Sequence, residues 1–531
     1  YSSAASDVYK RQLSMGAKLN SEKLGKFYKP GKKTATRREW RGFKDTMYDF
    51  GCWLKNLLVM GKFIMKPTTI KALFTYRWFG NYMAAFDYID RHMEGVRGPQ
   101  LRIGHKQYDS IVGHLTQTMD TLFKCDKRIG NKHGKYDELN KKVVIMDENG
   151  MMVVAMGFPN LKFVSKEVPA IYTGSTIAQD GVLHYIEVSE EFQIPSDVCP
   201  MPCAELGAAI DEDFPICGVC AIHCNTTCDG SLMGNQIEDR HDDLPSFTMA
   251  APMRHQQESV LPYSRDQVVA AIHFIEEHTG EKWDWDAFAK NCKTYNAQNK
   301  LFEQWLEMNK TPYPQVCGNN VMLYRDAEYM VISGRDASFL KLDQQITDLA
   351  KKGYENKVKV AKEMRHRAIV WGVHAQYYTA FNQWLANCWG IVTLCDMLSF
   401  TLTKPINYED HEQAMLDLGE YNMNMIMRNH SNGGYEVGVE QLWQFCEEYN
   451  ADMVLMYEHI GCKSMAGYHG LIEEEGRKRG IHIVWVYHAL MNPTKASRKD
   501  MRNDVNRYMK TVLREEPLDP SIVDFDDTER W

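Results

Sequence analysis

The chain reads as an α/β protein with two successive Rossmann-like open parallel-sheet domains behind a helical N-terminal extension. Three observations predict this. Apolar residues recur at helical spacing early in the chain, as in Trp53, Leu57, Val59, Met60 and Phe63. Short β-branched runs at 168–172, 183–188 and 216–223 then stand apart from helical stretches, the rhythm of a layered sheet. From about residue 367 onward, strand-like and helix-like segments alternate regularly, which predicts parallel strands with helices on both faces.

Residues 1–12 are set apart as a sequencing scar, because DVYKRQ (7–12) resembles the translation of a library adaptor, and Met15 is the expected start. Residues 13–160 are expected to form a basic helical extension that ends in a hairpin. The basic run 18–44 interleaves with Phe27, Tyr28 and Trp40, and reads as a solvated face or a partner contact. A second helix is expected around Phe74, Trp78, Met83, Phe86 and Ile89, and more helix over 104–140. The hairpin spans 142–154 around the turn Asp147-Glu148-Asn149-Gly150.

The first α/β domain is assigned to 161–340. Its long amphipathic helices are expected over 265–277 and 283–308, and another over 343–365 leads into the second domain. In that second domain, 341–514, strands are expected at 368–371, 391–396, 453–457 and 481–487. Helices are expected at 377–388, 436–449, 468–479 and 498–514, followed by an acidic tail, 515–531. In open parallel sheets, ligands bind outside the carboxyl ends of the strands. Cys228 and Cys462 each follow such a strand.

With 44% hydrophobic and 25% charged residues, the 531-residue composition is that of an ordinary globular protein. A net charge of −8 gives no reason to expect nucleic acid as a partner. The most apolar stretch, 378–401, is interrupted by Asn382, Gln383, Asn387 and Asp396, so no membrane span is expected. With no visible apolar signal region, the expected location is cytoplasmic, where cysteines serve as thiols, metal ligands or nucleophiles. The chain has no G-x-x-x-x-G-K-[ST], no G-x-G-x-x-G after a strand and no H-E-x-x-H, which argues against P-loop, dinucleotide and zincin chemistry.

Six of the 14 cysteines lie between Cys199 and Cys228, around ICGVCAIHCNTTCD (216–229). Cys217, Cys220, Cys224 and Cys228 are spaced like ligands of a zinc or iron–sulfur site. In a buried strand, however, Cys217 and Cys220 point apart and read as packing residues. Cys228 lies in loop chemistry between Asn225-Thr226-Thr227 and Asp229-Gly230. Cys462 sits in Glu458-His459-Ile460-Gly461-Cys462-Lys463, where Lys463 would favour the thiolate.

The segment MVLMYEHIGCKSMAGYHGLIEEEGRKRGIHIVWVYHALMNPTKASRKDMRNDVNRYM (453–509) resembles the C-terminal part of the 2-hydroxyacyl-CoA dehydratase and benzoyl-CoA reductase family. The shared pattern is a strand, H-x-x-C-K with a following glycine, a helix, and a strand leading to a turn. SDVC (196–199) and NTTCDG (225–230) are similar to the family's first and second cluster cysteines, and the resemblance runs over 168–514. It implies that Cys199, Cys228 and Cys462 ligate a [4Fe–4S] cluster with one iron left open, Cys203 being the alternate to Cys199. His488 and Asn492 stand where the family turn carries aspartates, which puts the local substrate contacts in doubt.

The implied protein is a subunit of an oxygen-sensitive, anaerobic lyase. It dehydrates an (R)-2-hydroxyacyl-CoA to an enoyl-CoA through a ketyl radical, with His459 and Glu458 as candidates for proton handling by position. A related second dehydratase subunit and a separate ATP-hydrolysing Fe–S activator are implied as partners. The alternatives are an ATP-dependent reductase of an aromatic or unsaturated acyl-CoA, a non-catalytic electron carrier, and a zinc-stabilised binding protein built on Cys217–Cys228.

Overall fold

The computed structural model describes residues 42–524 apart from 86–87, 89–91, 94, 148–151, 226–227, 253–256, 319–323, 325–334, 399–403, 425–434 and 468. The adaptor-like residues 1–12, Met15, most of the basic run 18–44, Phe86, Ile89, the turn residues 148–150 and Thr226-Thr227 lie outside the described residues.

Two four-stranded sheets organise the chain. The first contains β1 (Val143–Met146), β2 (Lys162–Val164), β3 (Cys220–Cys224) and β4 (Ser246–Met249), in the order β2-β1-β3-β4. The second contains β5 (His366–Gly372), β6 (Ile391–Asp396), β7 (Met453–His459) and β8 (His482–His488), in the order β6-β5-β7-β8. Every neighbouring pair is parallel. Both sheets therefore share one topology, in which the strand order reverses beside the first strand. Such reversals open a crevice at the carboxyl ends. β3 and β7, the strands that precede Cys228 and Cys462, occupy equivalent places in the two sheets.

The strands form where apolar runs can be covered on both faces. IVTLCD of β6 and MVLMYEH of β7 are buried at every position. One core joins the two units, packing Val144, Met146 and Ile222 together with Ile369, Trp371, Val454 and Met456. A second core seats the N-terminal helices on the first sheet, with Trp78, Phe79 and Phe123 against a cluster that includes Val143, Ile145 and Cys203. A third covers the opposite face of the second sheet through Leu455, Tyr457, Phe381 and Trp384.

The N-terminal segment is helical, as expected, with helices Phe43–Ile64, Pro67–Thr75 and Gly98–Cys125. The helix anticipated around Trp78 and Met83 is a 3-10 segment, Trp78–Ala84. One side of the first helix is buried through Asn56, Met60 and Phe63. Phe43, Met47, Phe50, Leu54 and Leu58 are exposed, at spacings of three and four residues. Among the described residues no helix is long and apolar enough to cross a membrane.

Three local expectations fail. The hairpin over 142–154 does not form, because Met152–Gly157 is a 3-10 helix and β1 pairs in parallel with β2 and β3. The first sheet thus begins inside the stretch assigned to the N-terminal extension. Residues 168–172 are helical; Pro169 at the opening of that turn presets its φ and needs no N–H. Leu183–Glu191 is also a helix, because Val182, Tyr185, Ile186 and Ser189 bury one face at helical spacing.

Candidate metal centre

Each of the three cysteines singled out by resemblance occupies a helix N-cap. Cys199 precedes Pro200–Ile210, Cys228 precedes Asp229–Asp242 and Cys462 precedes Lys463–Ala466. The local reasons can be read in the chain. Pro200 is favoured just inside a helix start, and Cys228 and Cys462 follow strand ends where the chain must turn. An N-cap side chain faces backbone N–H groups that have no partner within the helix, and these favour negative charge. None of the three side chains closes a cap hydrogen bond, but the Met201 N–H acts to lower the Cys199 pKa.

The two units bring these residues together. His459 Nε2 lies 3.2 Å from Cys199 Sγ. A Cβ on Gly461 would meet the His459 ring at 2.9 Å and Cys199 Cα at 3.3 Å, so the loop carrying Cys462 is pressed onto the loop carrying Cys199. On the other side, a Cβ on Gly230 would meet Pro202 at 3.0 Å and Cys228 Sγ at 3.5 Å. Burial pushes the Cys199 thiol well above its ordinary pKa; the Met201 N–H opposes this, and the nearby thiols of Cys228, Cys462 and Cys203 add to it. Crowded sulfurs of this kind repel one another as thiolates and are relieved by a shared cationic metal core. The donor set therefore fits an iron–sulfur cluster.

Cys203 sits one turn into its helix, 2% exposed, packed in the second core beside Ser189. The neighbouring cysteines divide between two cores: Cys217, which lies before β3 and not in the expected strand, packs with the N-terminal helices, whereas Cys220 and Cys224 pack between the sheets. Among the described residues, no three His, Cys, Asp or Glu side chains are grouped as they would be around a single metal ion. A zinc site over Cys217–Cys228 therefore has no geometry to support it there. Lys463, expected to act on Cys462, pairs instead with Asp197 at 2.5 Å.

His459 and Glu458 diverge, as successive strand residues must. The Gly461 N–H donates to His459 Nδ1 at 3.3 Å, so Nε2 carries the proton and donates it to the Cys199 sulfur. Burial lowers the His459 pKa to about 4, which keeps the ring neutral. Glu458 instead bonds His469 Nε2 at 2.6 Å, and that ring packs on Trp485 at 4.3 Å. Burial raises the Glu458 carboxyl and His469 opposes the rise.

Two further histidines stand at this end of the second sheet: His488, which the sequence marked only as a departure from the family turn, and His374, to which it assigned no role. His488, the register partner of His459, stacks on it with ring centroids 5.7 Å apart. His374 lies two residues beyond β5 and is 5% exposed. The only sequence signal for His374 is its position just past a strand end.

A family model described as 2-hydroxyglutaryl-CoA dehydratase, D-component, matches residues 143–498. The match runs from the start of β1 to the first residue of the helix Arg498–Tyr508, covers well over half of the chain and includes all three cysteines. No curated protein matches the chain.

Proposed function

The chain belongs to the 2-hydroxyglutaryl-CoA dehydratase D-component family, and from that premise we propose that it is the cluster-bearing subunit of an enzyme that dehydrates an (R)-2-hydroxyacyl-CoA to an enoyl-CoA. The observation that supports this reading is the His459–Cys199 contact at 3.2 Å, which sets the loop of Cys462 against the loop of Cys199, with Cys228 among the thiols near Cys199.

Cys199, Cys228 and Cys462 would hold a [4Fe–4S] cluster. When bound, such a cluster supplies a low-potential electron to the thioester carbonyl and an iron with no cysteine ligand. The protein's own residues do the rest. The loop that carries Cys199 is tied to the second unit by Lys463 to Asp197 and, from the segment after β8, by Lys495 to the Ser196 carbonyl. His459 donates to the Cys199 sulfur, a bond that steadies a negatively charged ligand and tunes its potential. Glu458, on the other face of β7, is coupled to His469 rather than to the cysteines. A related second subunit and a separate ATP-hydrolysing activator belong to the same reading. The exposed apolar side of the helix Phe43–Ile64 supports a subunit contact.

The test is iron, acid-labile sulfide and zinc content on protein purified without oxygen, together with turnover of a 2-hydroxyacyl-CoA in the presence of activator. About four irons and about four sulfides per chain are expected, lost in Cys228→Ala. One zinc without iron would sink the reading.

A further inference from the structure

We propose that the helices Phe43–Ile64 and Pro67–Thr75 form a docking face for an anionic lipid bilayer, with their exposed apolar side chains in the acyl boundary and their lysines among the headgroup phosphates. The inference is independent of the dehydratase reading, because both helices precede the family match at 143–498.

Phe43, Met47, Phe50, Leu54 and Leu58 are exposed and follow one another at spacings of three and four residues, so they share one side of the first helix. Another side anchors that helix to the protein through Asn56, Met60 and Phe63. Met65, between the helices, and Ile70 and Phe74 of the second helix add to the exposed apolar set. Phe43 is 80% exposed and Phe74 72%, so both rings stand out into solvent. A contiguous apolar face of this kind marks a contact surface.

The charges decide what covers it. Asp45 and Asp49 are the only acids of the two helices, and both are turned to the body of the protein. Asp45 pairs with Arg102 at 2.9 Å and accepts the Gly98 N–H at 2.7 Å; Asp49 contacts His105 at 2.7 Å. The cations are turned outward. Lys44, Lys55 and Lys62, eleven and seven residues apart, form one row along a flank of the stripe at 3.6 residues per turn. Lys55 and Lys66 reach Asp109 and Asp120 of the helix Gly98–Cys125, each at 2.8 Å. Lys44, Lys62 and Lys71 are exposed and make no ion pair among the described residues. The sequence just ahead, 18–41, carries nine Lys or Arg against two Glu, with Phe27, Tyr28 and Trp40 among them, in a chain whose net charge is −8.

An apolar stripe edged by lysines is the pattern of a helix that lies in the plane of a bilayer. The apolar side enters the acyl boundary, the lysine stems lie along it, and the ammonium groups meet lipid phosphates. A subunit contact accounts for the stripe alone. A nucleic acid accounts for the lysines alone and leaves Phe43, Phe50 and Phe74 in water. An anionic bilayer accounts for both.

The test sediments the full chain, purified without oxygen, with two kinds of vesicle: phosphatidylglycerol and phosphatidylcholine in equal parts, or phosphatidylcholine alone. Binding to the anionic vesicles should be stronger by about tenfold or more and should fall when salt is raised to about 0.5 M. Phe43→Ser, Phe50→Ser and Phe74→Ser together should weaken it about tenfold or more. Lys44→Gln, Lys62→Gln and Lys71→Gln together should bring the two vesicles to within about twofold of each other. All six side chains are exposed, so iron content and thermal melting should match the wild type in both variants. Wild-type protein that binds neither vesicle, or both equally, would overturn the proposal, as would anionic-vesicle binding unchanged by the phenylalanine substitutions. Protein that ignores vesicles but associates with a second protein chain through contacts broken by the phenylalanine substitutions would also overturn it, and would make the face a subunit contact.

Discussion

His459 donates from Nε2 to Cys199 Sγ at 3.2 Å, a bond between residues 260 apart in the chain and contributed by different units. The donor is fixed by its own neighbour, since the Gly461 N–H occupies Nδ1. Hydrogen bonds to cluster sulfurs favour the more negative, reduced state. His459→Leu should therefore lower the reduction potential of the bound cluster by roughly 65–130 mV, taking ~1.5–3 kcal/mol for a charge-assisted bond and a one-electron couple. His459→Gln should recover part of the shift. A potentiometric titration followed by electron paramagnetic resonance measures it, and an unchanged potential in the leucine variant would remove His459 from the centre.

The N-cap positions separate Cys199 from Cys203. Cys203→Ala deletes a small buried side chain one turn into the helix and should leave iron content unchanged at a modest cost in stability. Cys199→Ala should abolish stable iron binding. Iron and sulfide assays on the two variants decide between them; iron lost from Cys203→Ala and kept in Cys199→Ala would reverse the assignment.

This distinction shows what the sequence can and cannot carry. β6 and β7 were readable because parallel strands covered on both faces appear as unbroken apolar runs. Their carboxyl ends, and hence Cys462, followed directly. Which of Cys199 and Cys203 faces outward depends on where one helix begins, and Pro200 is the only local sign of that start. The divergence of Glu458 and His459 was legible in principle from strand alternation. His374 was not, because its place at the carboxyl edge comes from β5 lying beside β7, a pairing of residues more than 80 apart such as Ala368 with Met453. In the first unit, Val182, Tyr185, Ile186 and Ser189 carried a helical period that β-branched neighbours masked.

Lys166 is a buried cation that should prove costly to remove. It is 1% exposed, 2.6 Å from Asp242 and 3.3 Å from Glu238. Burial works against the Asp242 carboxylate, yet Lys166 and His241 hold it below the usual range. Burial and the adjacent Glu167 raise the Glu238 carboxyl, and Lys166 opposes the rise. Lys166→Met leaves the Asp242 charge without its cation, at a cost of ~3–5 kcal/mol. Asp242 ends the helix whose N-cap is Cys228, so iron should also be lost more readily on heating. Lys463→Met, at an exposed pair, should change stability far less when both variants are unfolded in urea. Equal effects of the two substitutions would contradict the assignment.

A pH-dependent contribution to stability should come from the far end of the second sheet. His366 opens β5, and its ring contacts Asp452 at 2.7 Å through Nδ1 and Glu515 at 3.1 Å through Nε2. Burial disfavours its charge, but the hydrogen bond to Asp452 and the charges of Asp452 and Glu515 outweigh that, so its pKa is raised above 6.5. A raised folded-state pKa means that the folded protein holds the proton more tightly than the unfolded chain. The contribution is therefore full below the unfolded value and is lost as pH rises through the folded one. Wild-type protein should lose thermal stability relative to His366→Gln as pH rises above about 6.5. The groups sit at the amino end of β5 and before β7, away from the cysteine edge, so iron content should not differ between the two proteins. A stability gap that stays constant with pH would show that His366 acts only by packing.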